Sequence, residues 1–310
     1  MAISQTYCDF ATGNDYKGAT FTDGAYTSAT KTLVKAGAFA ATKVNHWLWL
    51  ESNDGGSIVA GYYKVATVPD ANTVTLATDA GAGVDDDAAK CVQHDGTISL
   101  PWRSVQGALD LITRDATNGD QVNIKAGEAQ VLSAPLALST YGATSSAAPL
   151  VIRGYTSAAN DGGVGEIDGG GNTLWAGTEE SKGLVDLDLH TLGAGIAIAM
   201  QLGHFIVHCA VHKGGSAPNN QALIKVGASC LVQGCHIYDI GSGTDAIGIF
   251  GNNAGVSLLG NYIVTSNYGI QQQEGNGWSI AGNIILCEAT GAIGVRLVTP
   301  GAWAPSTCVL

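Results

Sequence analysis

The chain has 310 residues, 43 of them Gly, and 13% are charged, against roughly 25% in ordinary domains. Fourteen basic and 26 acidic residues leave a net charge of −12 with no Lys/Arg cluster. A nucleic-acid-binding face needs concentrated positive charge and is therefore excluded.

No long apolar run is present, so no membrane-spanning helix is expected. Met1-Ala2-Ile3-Ser4 offers neither the basic nor the apolar stretch of a secretory leader. The seven cysteines (8, 91, 209, 230, 235, 287 and 308) are odd in number and lack compact disulfide or zinc spacing. They read as reduced, mostly buried thiols of a protein made in a cytoplasm. The acidic balance reads as solubility.

Tyr7-Cys8-Asp9-Phe10 and the Gly/Asn-rich stretch to Gly18 suggest an opening strand and turn. Residues 19–95 carry short strand-like runs at Thr32–Val34, Trp47–Leu50, Tyr62–Val65 and Thr73–Leu76. Asp23-Gly24, Asn53–Gly56 and Pro69–Asn72 punctuate them as turn signals, which predicts a small antiparallel barrel or sandwich. Asp85-Asp86-Asp87 is expected in a solvated loop, because nothing there has calcium-ligand spacing. In Pro101–Ile112, Val105, Ala108, Leu109 and Ile112 fall on one helical face. That helix is expected to cap the first coil of the strands downstream, shielding their open edges.

Strand-like runs then return at Gly119–Glu128, Pro149–Gly154 and Glu166–Asn172. From His204 to Leu286 a short pattern repeats. Cys209, Cys235, Asn261 and Asn283 are equivalent positions, 26, 26 and 22 residues apart. Three residues before them stand Ile206, Val232, Leu258 and Ile280; two after stand Val211, Ile237, Ile263 and Ile285. A repeat of this length marks a solenoid, since one unit cannot bury its own apolar side. Two β-branched runs per unit, divided by Gly and Asn, favour strands and bends over helices. Asn261 over Asn283 predicts a short internal Asn ladder, with Cys209 and Cys235 continuing the column as small apolar fillers. At about 25 residues per turn and about 4.8 Å between strands, roughly seven or eight turns would rise about 35 Å. The repeat breaks off at Thr307-Cys308-Val309-Leu310. Either the protein is expected to continue beyond Leu310, or another chain covers that end.

This pattern resembles the right-handed parallel β-helix of the pectate-lyase-like type. Pro101-Trp102-Arg103-Ser104 resembles that family's helix-entry segment, and the 19–95 stretch resembles small β modules of bacteriophage structural proteins. The expected fold is all-β: a right-handed parallel β-helix with an N-terminal capping helix and a small inserted antiparallel β module. The expected boundaries are 1–18 for the opening strand, 19–95 for the module, and 96–310 for helix and coil.

Relatives of this type include polysaccharide lyases and glycosidases, so carbohydrate chemistry has to be tested against the residues. Hydrolysis needs two carboxylates about 5 Å apart, or about 6.5–9.5 Å apart. Gly165-Glu166-Ile167-Asp168-Gly169-Gly170-Gly171 resembles a polygalacturonase segment that is a structural turn in that family. Gly243-Thr244-Asp245-Ala246-Ile247-Gly248 resembles a polygalacturonase catalytic motif, but Gly248 replaces its second Asp and the motif's later parts are missing. Asp239 and Asp245 remain as candidate catalytic carboxylates, and Asp245 reads as a turn residue. His204, His208, His212 and His236 suggest a metal site only if no bend separates them. Asp186, Asp188 and His190, each two apart, would share a strand face and read as a solvated edge. Trp47, Trp49, Tyr62, Tyr63, Trp175, Tyr238, Tyr262, Tyr268 and Trp278 offer stacking surfaces for sugars, although core packing accounts for most of them.

No cofactor and no metal are assigned. The resemblance implies a non-enzymatic structural protein of a phage virion, as a tail, fibre or capsid-surface component. It would form a homo-oligomer, a trimer as among similar proteins, and contact other virion proteins, with a host surface glycan as a further partner. The alternatives are a depolymerase acting on host glycans and a filament-forming surface protein.

Overall fold

The computed structural model describes residues 3–52, 58–81, 84–127, 129–137, 145, 147–176, 180–191, 198–213, 222–239, 247–273, 277–288, 291–297 and 308–309. Apart from one short helix and a 3-10 turn at Ser28–Thr30, its elements are strands. The chain divides into two compact units, residues 6–113 and residues 1–5 with 114–310.

The first strand, β1 (Ser4–Cys8), spans the boundary between the units at Gln5. The smaller unit holds six strands: β2 (Phe21–Thr27), β3 (Thr32–Val34), β4 (Trp47–Ser52), β5 (Gly61–Asp70), β6 (Thr73–Leu76) and β7 (Val84–Cys91). They close into an antiparallel barrel in the order β2-β3-β6-β5-β4-β7. Alternation places Leu48 and Leu50 inside while Trp47 and Trp49 stay half-buried outside. Tyr26, Leu33, Val65, Val74 and Leu76 complete the core.

Two expectations fail here. Asp23-Gly24 makes no turn and lies inside β2 at a register shift against β7. A Cβ on Gly24 would stand 2.7 Å from the Phe21 ring, so this glycine serves a close approach at a bulge. Asp85-Asp86-Asp87 lies in β7, which pairs with both β2 and β4. Asp85 pairs with Tyr26 of β2, and Ala89 and Lys90 further along β7 pair with β4; closing the barrel in this way outweighs the poor strand preference of Asp.

The helix α1 (Val105–Leu111) buries Val105, Ala108, Leu109 and Leu111, and the Ser104 hydroxyl caps it by accepting from the Gly107 N–H. Asp15 anchors this start. Its carboxylate accepts from the N–H groups of Arg103, Ser104 and Trp47 and from the Ser104 hydroxyl. A Cβ at Gly107 would fall 2.3 Å from that carboxylate. Burial nonetheless raises the Asp15 carboxyl above its ordinary range.

The larger unit is a parallel β-solenoid. Its strands form one nine-stranded sheet that begins with β1 and two seven-stranded sheets, with each passage of the chain adding a strand to each sheet. In the first sheet the inward ladder runs Val122, Ile152, Leu184, Ile206, Val232, Leu258, Ile280, each residue in register with the next. All seven are buried. In the second sheet Ile167, Leu189, Val211, Ile237 and Ile263 form a matching buried ladder, and Ile285 continues it half-buried. In the third, Ile198, Ile224, Ile249 and Ile270 do the same.

The bend between the first two sheets is one residue in the left-handed region. Asp186, His208, Gly234, Gly260 and Gly282 hold it at φ 53°, 54°, 62°, 61° and 66°. Just past this bend lies the predicted column of Cys209, Cys235, Asn261 and Asn283. Asn261 Oδ1 accepts from the Cys235 N–H (3.0 Å) and its Nδ2 donates to the Val232 carbonyl (3.0 Å). Cys209 and Cys235 are buried. Burial pushes the Cys235 thiol up to about 11 and the Cys209 thiol well above its ordinary value, so both serve as packing groups.

Candidate functional site

The outer face of the second sheet collects the side chains with the most chemistry. Alternation along each strand sends the first and third residues of each inward-facing triplet outward. Register stacks these outward residues into two columns. One runs Glu166, Asp188, Ala210, His236, Tyr262, Ile284; the other runs Asp168, His190, His212, Tyr238, Val264, Leu286. The face therefore grades along the solenoid from acids, through imidazoles and phenols, to aliphatics.

Neighbours in the columns touch. The rings of His190 and His212 stack at 5.0 Å and 17°, and those of His212 and Tyr238 at 4.7 Å and 5°. His236 leans on Tyr238 at 4.6 Å and meets Tyr262 edge-on at 5.0 Å. Such cross-strand pairs contribute about 0.2–1 kcal/mol each. His212 Nε2 lies 2.8 Å from Asp188 Oδ1. His190 Nε2 lies 3.3 Å from Asp168 Oδ2, and its Nδ1 lies 3.9 Å from Glu166 Oε1. The buried Nδ1 of His212 has no hydrogen-bond partner among the described residues. Asp188, His190 and His212 bring one donor atom each to within 4.8 Å of one another.

The histidines suggested by spacing part company at the bend. His204 is buried, with its Nδ1 accepting from the Gln201 N–H. His208 occupies the left-handed position with its side chain 63% exposed, 3.8 Å from Asp186. Of the four, His212 and His236 reach the outer face. Asp188 and His190 do share that face. Asp186 does not join them in the strand, because it turns the bend, where Arg153 closes on its Oδ2 through Nε (2.8 Å) and Nη2 (2.7 Å).

Asp239 ends the strand His236–Asp239 in register with Lys213, and only its backbone is described. Asp245 lies outside the described residues. Among the aromatic residues, Tyr63, Trp175 and Trp278 are buried. Trp49 and Tyr62 pack edge-on outside the barrel at 4.8 Å, with the Arg103 guanidinium 3.5 Å from the Tyr62 ring centre. That pairing is a packed cation–π cluster.

His190, His212 and Tyr238 stand out in the sequence one by one, without being aligned. Their spacings of 22 and 26 residues match those of the repeat itself, and that spacing was the signal that could have found them. No known family model matches the chain, and no curated protein matches it.

Proposed function

We propose that this chain is a non-enzymatic structural protein whose solenoid forms the shaft of a larger assembly, a virion tail, fibre or capsid-surface component. One observation carries the reading: the last described strands of the second sheet carry exposed apolar side chains on their outer face. Tyr262, Ile284 and Leu286 are 38%, 59% and 46% exposed on adjoining strands of the second sheet. Covering an aliphatic side chain of that size is worth about 1.5–3 kcal/mol when complete. Side-by-side packing of copies about the solenoid axis covers this strip, and a trimer closes such a contact without leaving a free face. Unbroken inner ladders and one-residue bends make the unit stiff, as a shaft requires.

The test is the mass of the full chain in solution by light scattering, beside the variant carrying Ile284→Asp and Leu286→Asp. We expect an oligomer, a trimer by mass, that the double variant reduces to folded monomers. A wild-type chain that stays monomeric at micromolar concentration overturns the reading. Indefinite end-to-end filaments in electron micrographs would favour a filament-forming surface protein instead.

A second reading has its own support. Glu166, Asp168 and Asp188 stand on one face beside His190, His212, Tyr238 and Tyr262, an acid and aromatic surface of the kind a glycan-cleaving enzyme uses. Release of oligosaccharides from a panel of surface glycans, abolished by Asp168→Asn, Asp188→Asn, Asp239→Asn or Asp245→Asn, would establish it over the structural one.

A further inference from the structure

We propose that Asp188, His190 and His212 form a binding site for a first-row divalent transition metal, with zinc the ion that suits it best. Asp188 and His190 are two residues apart on one strand, and His212 is the register partner of His190 on the next. The sheet thus fixes the three α-carbons, and all three side chains project to one side. Their donor atoms already lie within 4.8 Å of one another. Zinc bonds of about 2.0–2.2 Å to imidazole nitrogen and carboxylate oxygen need the donors closer, at roughly 3.3 Å. Zinc binding requires that contraction of side-chain rotation. Asp188 Oδ1 and His212 Nε2, at 2.8 Å, are already this close.

Two features of the surroundings bear on how a cation would sit here. First, Glu166 and Asp188 are direct cross-strand partners, with Asp168 the next outward residue along the strand from Glu166. Like charges placed opposite one another destabilise a sheet, and a bound cation reverses that sign. Second, His212 is held by stacking between His190 and Tyr238, while its buried Nδ1 has no hydrogen-bond partner among the described residues. The stack fixes the ring plane, and Nε2, the nitrogen turned to the cluster, already meets Asp188 Oδ1 at 2.8 Å. Moving His212 Nε2 from Asp188 onto a shared ion therefore gives up one contact, which the ion replaces.

The neighbours complete the arrangement. A ligating imidazole is usually oriented by a carboxylate on its other nitrogen. His190 has such a group on either side, Asp168 at 3.3 Å from Nε2 and Glu166 at 3.9 Å from Nδ1. Two imidazoles with one carboxylate suit zinc, copper, nickel or cobalt, whereas calcium and magnesium take oxygen ligands. Three protein donors on an outward face leave the remaining coordination positions to water or to a partner's side chain.

The experiment titrates the full chain, first freed of metal with a chelator and dialysed, with zinc by calorimetry in the presence of excess calcium and magnesium. One zinc per chain is expected, unaffected by the alkaline-earth ions. His190→Gln, His212→Gln and Asp188→Asn should each weaken binding at least tenfold. Asp168→Asn, which removes an orienting group, should weaken it by about tenfold or somewhat more. His236→Gln, on the same face but outside the triad, should leave it unchanged. All five substitutions are on the outer face, and circular dichroism checks that each variant folds. Cobalt(II) in place of zinc should give a visible absorption band that His212→Gln abolishes. Absence of stoichiometric zinc binding overturns the proposal, as does zinc binding indifferent to all three ligand substitutions or competed by calcium.

Discussion

Asn261 and Asn283 sit one above the other inside the solenoid, with Asn261 Nδ2 donating to Asn283 Oδ1 at 2.9 Å and the Asn261 N–H donating to the same oxygen at 2.9 Å. The pair turns two successive bends into one hydrogen-bonded column, which Asn283 Nδ2 ends on the Leu258 carbonyl at 2.8 Å. Asn261→Ala would leave the Cys235 N–H and the Val232 carbonyl without these partners, in a place water does not reach. Each orphaned group costs about 1–3 kcal/mol. Cys209→Ala, in the same column, removes packing worth about 1 kcal/mol and a weak thiol bond to the Val207 carbonyl, which lies beside it in the chain. Chemical denaturation should therefore show the Asn substitution as clearly the more damaging; equal losses would mean that the column is held by packing alone.

The bend residue just before that column makes a paired prediction. Gly260 is left-handed at φ 61°, with nothing within 4 Å of where a Cβ would stand, so Gly260→Ala meets strain and no clash. A loss of about 1 kcal/mol is expected. His208 holds the same bend at φ 54° with a Cβ, so His208→Gly should gain about 0.5–1 kcal/mol after the extra flexibility of glycine is counted. Denaturation midpoints moving in the same direction for both variants would refute the equivalence of the two bends.

These ladders were legible because the repeat keeps Ile206, Val232, Leu258 and Ile280 at a nearly constant distance from a recognisable bend. The third sheet was not. Ile198, Ile224, Ile249 and Ile270 follow connections of differing length, so no fixed offset links them to the Cys and Asn column. The outer-face cluster was half legible. Asp188 and His190 show their common face by alternation, but joining them to His212 requires knowing that the period there is 22 residues and that a bend separates His208 from His212. In the barrel, composition pointed the wrong way. Asp85–Asp87 has the make-up of a loop, and only the closing of β7 between β2 and β4, a long-range event, makes it a strand.

Leu258 tests the inner ladder most directly. It is fully buried between Val232 and Ile280, and Leu258→Asp places an unpaired charge there, at a cost of several kcal/mol. Ile285→Asp, on the other ladder, sits half-buried near the end of the described strands and should cost much less. Loss of the β-type circular dichroism signal and of soluble protein is expected for Leu258→Asp and not for Ile285→Asp. If Leu258→Asp is tolerated, the register of the first sheet is wrong.

Acid should loosen the loop after Tyr155 through Asp161. Its carboxylate accepts from the N–H groups of Ser157 (2.7 Å), Ala158 (2.9 Å), Thr156 (2.8 Å) and Gly163 (3.1 Å). These bonds, the one from Ser157 foremost, hold its carboxyl well below the ordinary Asp range. A lowered folded-state value means that the unfolded chain binds the proton first. The contribution is therefore present above the unfolded value of about 3.9 and is lost as pH falls from there through the folded value. Asp161→Asn, which cannot be charged and turns an amide towards N–H donors, should be less stable than wild type at pH 6 and approach it as the pH drops below about 4. Subtracting the two denaturation profiles removes the titration of the other acids. A gap that stays constant from pH 6 to pH 2 would show that the loop does not depend on the charge of Asp161.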